Sequence, residues 1–374
     1  MQLSEELKQL SDSAHSFLKD YGGTKAYRAM RDASPAEGFD TALWRQMVEL
    51  GWAGITVPES LGGYDMGPAA VALVGAALGT HLGSSPFATT AVFAAQALSI
   101  GHAQAASPKV EAALKALTEG TSIVAAAIDE GPRHAGLEGV ALTASPSAGG
   151  FVLSGTKRNV LDVTAADQIL VAARTDGGLT AFLVPADVDG LTVDTSVLLD
   201  ARRASTLKFG GIEVSSDQVV GKVGEGDASL GPALELARLA VAAEMLGAAS
   251  AAFELTVAYL RDRKQFGVPI GSFQALQHRA AHAYTDLKLA QAAVNKAAMA
   301  VTTGDEAAAA VAVAKSKAGA VSVATVNEAV QMHGGVGVTD EFDIGLYVKR
   351  VRTLENLFGD RRYHADRYAK LRGF

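Results

Sequence analysis

The spacing of apolar positions changes character twice along the chain. From residue 1 to about 120 it is helical. In LSEELKQLSDSAHSFL, residues 3–18, Leu3, Leu7, Leu10 and Leu18 recur at helical spacing. FDTALWRQMVELG, PAAVALVGAALGTHLG and the alanine-rich run from Thr89 to Ala105 predict further helices, punctuated by Gly and Pro as in ITVPESLGGYDMGP. From Thr121 to Lys222 short apolar runs take over: SIVAAAI, GFVLSG, QILVAAR, LTAFLVP, LTVDTSV and STLKFGGIEV. Turn signals such as PSAGG at 146–150 and TDGG at 175–178 separate them, and the pattern predicts an antiparallel sheet or small barrel. Strand–helix alternation is absent, and the GEG at 224–226 is no dinucleotide fingerprint.

From Asp227 onward the pattern is helical again. Leu234–Arg263 runs without proline and with one glycine, Gly247, a span of about 45 Å at ~1.5 Å per residue. Phe273–Thr302 and Glu306–His333 predict two more long helices, whose alanines favour close helix packing. The expected architecture is α+β and multi-domain. It comprises an N-terminal helical domain (1–120), a central antiparallel β-sheet or barrel domain (121–226) and a C-terminal four-helix-bundle-like domain (227–374).

Composition narrows the chemistry. The net charge of −7 disfavours nucleic acid as a partner. With no cysteine there is no disulfide, thiolate metal site or thiol nucleophile. The eight histidines show no ligand spacing, so no metal is expected; His278 and His282 share a helix face without a third ligand, these and His333 read as packing or solvent-facing, and Tyr259 and Phe253 read as helix packing. The N-terminal stretch lacks the basic and apolar regions of a signal peptide. The apolar runs are interrupted by Arg, Glu or Lys, so no membrane span and a cytoplasmic location are expected.

Four stretches, in order, resemble the acyl-CoA dehydrogenase family: LGWAGITVPESLGGYDMG at 50–67, LSGTKRNVLDVTAADQILVAAR at 153–174, RDRKQFGVPIGSFQALQHRAAH at 261–282 and VQMHGGVGVTDEFDIGLYVKRVR at 330–352. The last two are long and specific. The resemblance implies an FAD flavoprotein, usually a tetramer, acting on an acyl-CoA, with an electron-transferring flavoprotein as acceptor. In the family a carboxylate removes the α-proton while a hydride leaves the β-carbon for the flavin, which supplies that chemistry. It also implies that one subunit's C-terminal helices reach a neighbour's flavin. There Arg263 pairs with the diphosphate, Gln265, Phe266 and Gln274 line the cofactor, and Gln331, Gly334 and Gly335 close on the adenosine half.

The departures from the family pattern fall on the chemistry. One family position for the glutamate base is occupied by Gly359, and the known alternative by Ala237. Glu235 and Glu244 do not match either position. The β-domain acid–proline motif is replaced by AAAIDEGPRHAGLEG, in which Asp129–Glu130 only echoes the acid, and RNVLDVT replaces the segment that touches the flavin ring. The expectation is a non-basic subunit, paired with a paralogous acyl-CoA dehydrogenase subunit in a heterotetramer and clasping FAD across the interface. Two alternatives stand beside it. One is a homotetramer using Asp360 as base, with Arg361 and Arg362 lowering its basicity; the other is a flavin-free scaffold subunit.

Overall fold

The structure, a computed structural model, describes residues 4–374. Leu3 therefore lies outside the described residues. The predicted order of helices, sheet and helices is present. Six helices come first: α1 (Glu5–Tyr21), α2 (Gly23–Ala33), α3 (Thr41–Glu49), α4 (Gly67–Thr80), α5 (Ala95–Gln104) and α6 (Pro108–Thr118). A widened π-helical stretch, Phe87–Ala94, leads into α5. The apolar pattern left 23–33 and 108–118 without elements. Yet α6 carries its own start signal, with Ser107 capping Val110 N–H and Pro108 in the first turn.

The chain folds as two compact units. One comprises residues 30–67 and 84–237 and holds the sheet. Its strands are β1 (Val124–Ala127), β2 (Thr143–Ser147), β3 (Gly150–Leu161), β4 (Gln168–Thr175), β5 (Gly178–Pro185), β6 (Leu191–Val197), β7 (Arg203–Ser215) and β8 (Val219–Val220). Their order is β6-β7-β3-β2-β4-β5-β8, with β1 also on β4. The expected antiparallel sheet is in fact mixed, because β1 and β2 both run parallel to β4. The segment between β1 and β2, rather than a tight turn, makes this possible. Leu153, Val160, Ile169, Val171, Phe182 and Leu207 fill the core beneath the sheet.

The other unit comprises residues 4–29, 68–83 and 238–374. Its long elements are α7 (Asp227–Asp262), which begins in the sheet unit, α8 (Gln274–Thr303) and α9 (Ala307–His333). A small hairpin, β9 (Lys264–Gln265) and β10 (Val268–Pro269), joins α7 to α8; α10 (Ile344–Asn356) and α11 (Arg361–Leu371) end the chain. The first long helix starts earlier than its apolar run, with Pro232 tolerated in its second turn. Glycines let α4 and α7 cross at backbone contact: a Cβ on Gly79 would lie 1.9 Å from Glu244 O, and one on Gly247 2.0 Å from Ala76 O. By length and composition alone α7, and residues Ala307–Val338 spanning α9, would be long and apolar enough to cross a membrane, a test that buried core helices also pass. Their apolar windows are 89% and 56% buried within the fold, as core helices require.

Candidate functional site

Two of the sequence-predicted segments converge at one end of the helical unit. At the end of α7, Arg263 N–H still bonds Tyr259 O at 2.9 Å, and the chain then turns through the β9–β10 hairpin. Both turn residues are left-handed, Phe266 at φ 51° and Gly267 at 82°, as a two-residue hairpin demands. A phenyl ring is a poor choice there. Phe266 is 93% exposed, with Phe273 edge-on to it at 6.2 Å. Nothing in this chain's own packing explains that side chain. Arg263, Gln265 and Gln274 are also exposed, and Arg263 has no ion-pair partner among the described residues.

The second segment ends α9. Gln331, Gly334 and Gly335 are exposed, and a Cβ on either glycine would meet no atom within 4 Å. The two segments are tied together beneath the surface. His333 stacks on Tyr259 with centroids 4.3 Å apart, and Phe342 abuts both rings edge-on at 5.2 and 5.7 Å. The predicted cofactor residues thus form one open face, rich in donors and free of side chains where the glycines lie. An unpaired guanidinium, three exposed glutamines and an open backbone ledge fit a dinucleotide with a diphosphate.

The predicted base positions are of a different kind. Ala237 is fully buried on α7. Arg238 beside it sends Nε to Phe358 O at 3.1 Å and Nη2 to the Tyr363 hydroxyl at 3.3 Å. Phe358 and Gly359 are both left-handed, at φ 58° and 107°. A Cβ at Gly359 would lie 2.5 Å from Tyr363 Cδ1 and 2.8 Å from His364 Nε2. Position 359 therefore has neither the backbone nor the space for a side chain. Asp360 is no free acid. Its Oδ1 caps α11, accepting from Arg362 N at 2.9 Å and Tyr363 N at 2.8 Å. Arg361 turns away to Glu355 at 3.4 Å, so the expected arginine partner is replaced by backbone amides.

Sequence reasoning missed the group that holds this loop. Lys315 is fully buried on α9, and its ammonium donates to the carbonyls of Leu354, Glu355 and Gly359 at 3.2, 3.0 and 2.9 Å. Burial pushes it down to about 7. His364 Nε2 lies 3.0 Å from Phe358 O, so that nitrogen carries the proton. Burial first, then the Lys315 and Arg238 charges, hold this imidazole far below the usual histidine range. A lone lysine in an alanine-rich helix gives one faint signal: position 315 falls on a stripe with Val311, Ala318 and Ser322, which are all buried. Glu244, set aside in the sequence, bonds Arg350 at 3.0 Å.

In the sheet unit, the residues that replace the expected acid motif hold the fold together. Asp129 pairs with His134 at 2.7 Å. Glu130 accepts from Lys157 at 2.6 Å and from the amides of Ala141 and Leu142 at 2.9–3.0 Å. Burial pushes Lys157 down to about 8, against the raising effect of Glu130. After the bulge in β3, Asp162 binds Arg202 through both carboxylate oxygens at 2.8 and 2.9 Å. A cleft of about 320 Å³ beside Trp44 and Thr164 holds none of the predicted site residues.

Comparison with known proteins accords with this geometry. Residues 4–109 match the acyl-CoA dehydrogenase N-terminal domain and residues 224–371 the C-terminal domain of that family. Acyl-CoA dehydrogenase IpdE2 of Mycolicibacterium smegmatis is 31% identical over 361 residues, 96% of each chain. The ChsE4-ChsE5 complex from Mycobacterium tuberculosis contains a chain 28% identical, with a TM-score of 0.88 over 100% of this chain and 99% of that one. A Tcur3481-Tcur3483 steroid ACAD variant gives 29% identity and a TM-score of 0.87 over 98% and 97%.

Proposed function

The chain belongs to the acyl-CoA dehydrogenase family, and we propose that it is the non-basic subunit of a two-chain member that dehydrogenates an acyl-CoA thioester. The observation that carries this is position 359: a left-handed glycine with no room for a Cβ, where the family pattern places its glutamate. Asp360 is committed to capping α11, which argues against the reading of a homotetramer with Asp360 as base.

The open face supports a cofactor role. FAD, when bound, supplies the hydride-accepting chemistry. Arg263 holds the diphosphate with its guanidinium fork, and Gln265, Phe266 and Gln274 line the same stretch. Gln331 and the bare backbone at Gly334–Gly335 close on the adenosine half. These groups are exposed because they serve a neighbouring subunit's flavin; that neighbour brings the base and the ring contacts. The names of two structural neighbours each join two chains, ChsE4-ChsE5 and Tcur3481-Tcur3483, which supports a heteromer. One is described as a steroid ACAD, so a steroid thioester is the first acyl-CoA to assay. An electron-transferring flavoprotein is the expected acceptor.

Co-expression with candidate paralogues tests the assignment. The complex should carry FAD and oxidise an acyl-CoA, whereas this chain alone should do neither. One bound FAD per chain and full activity from this chain alone would sink the proposal.

A further inference from the structure

We propose that His333 is the positioning residue of the flavin clasp: as a neutral, buried wedge it locks the α7 end bearing Arg263 to the α9 end bearing Gly334 and Gly335. The inference rests on the reading of that face as a clasp and adds what holds its two halves in register.

Four contacts converge on this residue. Its ring stacks on Tyr259, one helical turn before Arg263, with a 22° interplanar angle. Phe342 closes the edge at 5.2 Å. Its Nδ1 lies 2.8 Å from Ala329 O and therefore donates to it, which fixes the tautomer. Its Cβ lies 2.9 Å from where a Cβ on Gly337 would stand, so the GGVG turn folds back on it. The ring is buried within the fold, while its neighbours Gly334 and Gly335 are exposed. A shift of the ring moves both halves of the clasp together.

The remaining nitrogen explains why the ring works uncharged. Nε2 is buried and has no hydrogen-bond partner. As a bare lone pair it costs little; as an N–H⁺ it becomes an unsatisfied buried donor carrying charge. The surroundings offer no compensation. Tyr259 from α7, the Ala329 carbonyl from α9 and Phe342 touch the ring, and only Tyr259 among them is ionisable. Asp343 and Asp340, beyond Phe342, are engaged by Arg28 at 2.9 and 3.3 Å. Burial holds the imidazole below its usual range, against the raising effect of the Ala329 carbonyl. The neutral form is complete above pH ~6.5, and the arrangement weakens as pH falls below that value toward the depressed one.

The test uses the complex of this chain with its paralogous subunit, measuring FAD affinity by flavin fluorescence and melting of the flavin-free complex. H333F keeps the stack but loses the Nδ1–H donor. It should weaken FAD binding about tenfold, the worth of one buried hydrogen bond, alongside a modest drop in melting temperature. H333N, whose amide nitrogen overlays Nδ1, should restore part of that loss. Wild-type affinity should fall as pH drops below 6.5, and H333F should lose less over the same range. R263A separates the two claims. Unchanged affinity in R263A overturns the clasp and this proposal with it. Weakened binding in R263A alongside wild-type affinity in H333F overturns the role of His333 alone, as does a loss in H333F confined to melting temperature. Should H333F fail to fold, Y259L removes the stack from the other side and is read in the same way.

Discussion

On the proposed reading, a glutamate placed at position 359 is the obvious attempt to supply a base, and the fold predicts that it fails. G359A isolates the cost. Any L-residue at φ 107° pays for a backbone it rarely adopts, about 1–3 kcal/mol. Its Cβ then meets Tyr363 at 2.5 Å and His364 at 2.8 Å. Neither ring can swing aside freely: His364 is held by Phe358 O, and Tyr363 lies under Arg238 at 5.5 Å. Overpacking of this kind adds about 1–3 kcal/mol. The sum, about 2–6 kcal/mol, is a large share of the ~5–15 kcal/mol that holds a typical domain. Denaturant titration of G359A should show the loss as a lower midpoint. G359E should lose at least as much and gain no acyl-CoA dehydrogenase activity. A G359A midpoint within error of wild type, or turnover by G359E in the chain alone, would refute the reasoning.

Other expectations follow from the same loop and its surroundings. D360A should lose about 1 kcal/mol through the missing cap, while D360N, which can still cap, should keep both stability and the activity of the complex; a hundredfold activity loss in D360N would return Asp360 to the role of base. K315M strips three carbonyls of their donor and should cost about 2–4 kcal/mol in chemical denaturation. The lysine binds its proton more tightly unfolded than folded between pH ~7 and ~10.5, so stability should rise with pH across that window. Lys157 shares the trend from about pH 8, so K315M should flatten the rise without abolishing it. On the acid side His15, His81, His333 and His364 all sit below their usual range, so stability should fall as pH drops below 6.5.

The helix–sheet–helix order was legible because period changes are local. Leu18 and the spacing that precedes it suffice to place α1, and Gly150, Gly177 and Gly178 mark strand ends. Parallel pairing of β1 with β4 was not legible, since it depends on which strand a buried run such as VAAA finds, not on its own pattern. The signature segments could be located from sequence, but not their joining. Tyr259 and His333 are far apart in the chain, and only the fold stacks them. Position 359 shows the sharpest limit. A glycine where the family resemblance expects a glutamate raises the question of a base, but does not say that the loop has closed around that position. The closing groups, Lys315, Arg238 and His364, come from three different helices. Asp360 reads as an acid ahead of two arginines and proves to be a cap, because φ/ψ at the start of α11 decides its partners.

The most direct measurement is flavin stoichiometry with activity, in the purified chain and in its complex. The purified chain alone should hold no stoichiometric FAD and turn over no acyl-CoA. Its complex with the paralogous subunit should hold FAD, lose it on R263A, and lose turnover when the partner's base is replaced. Stoichiometric FAD and turnover in this chain alone would contradict this reading.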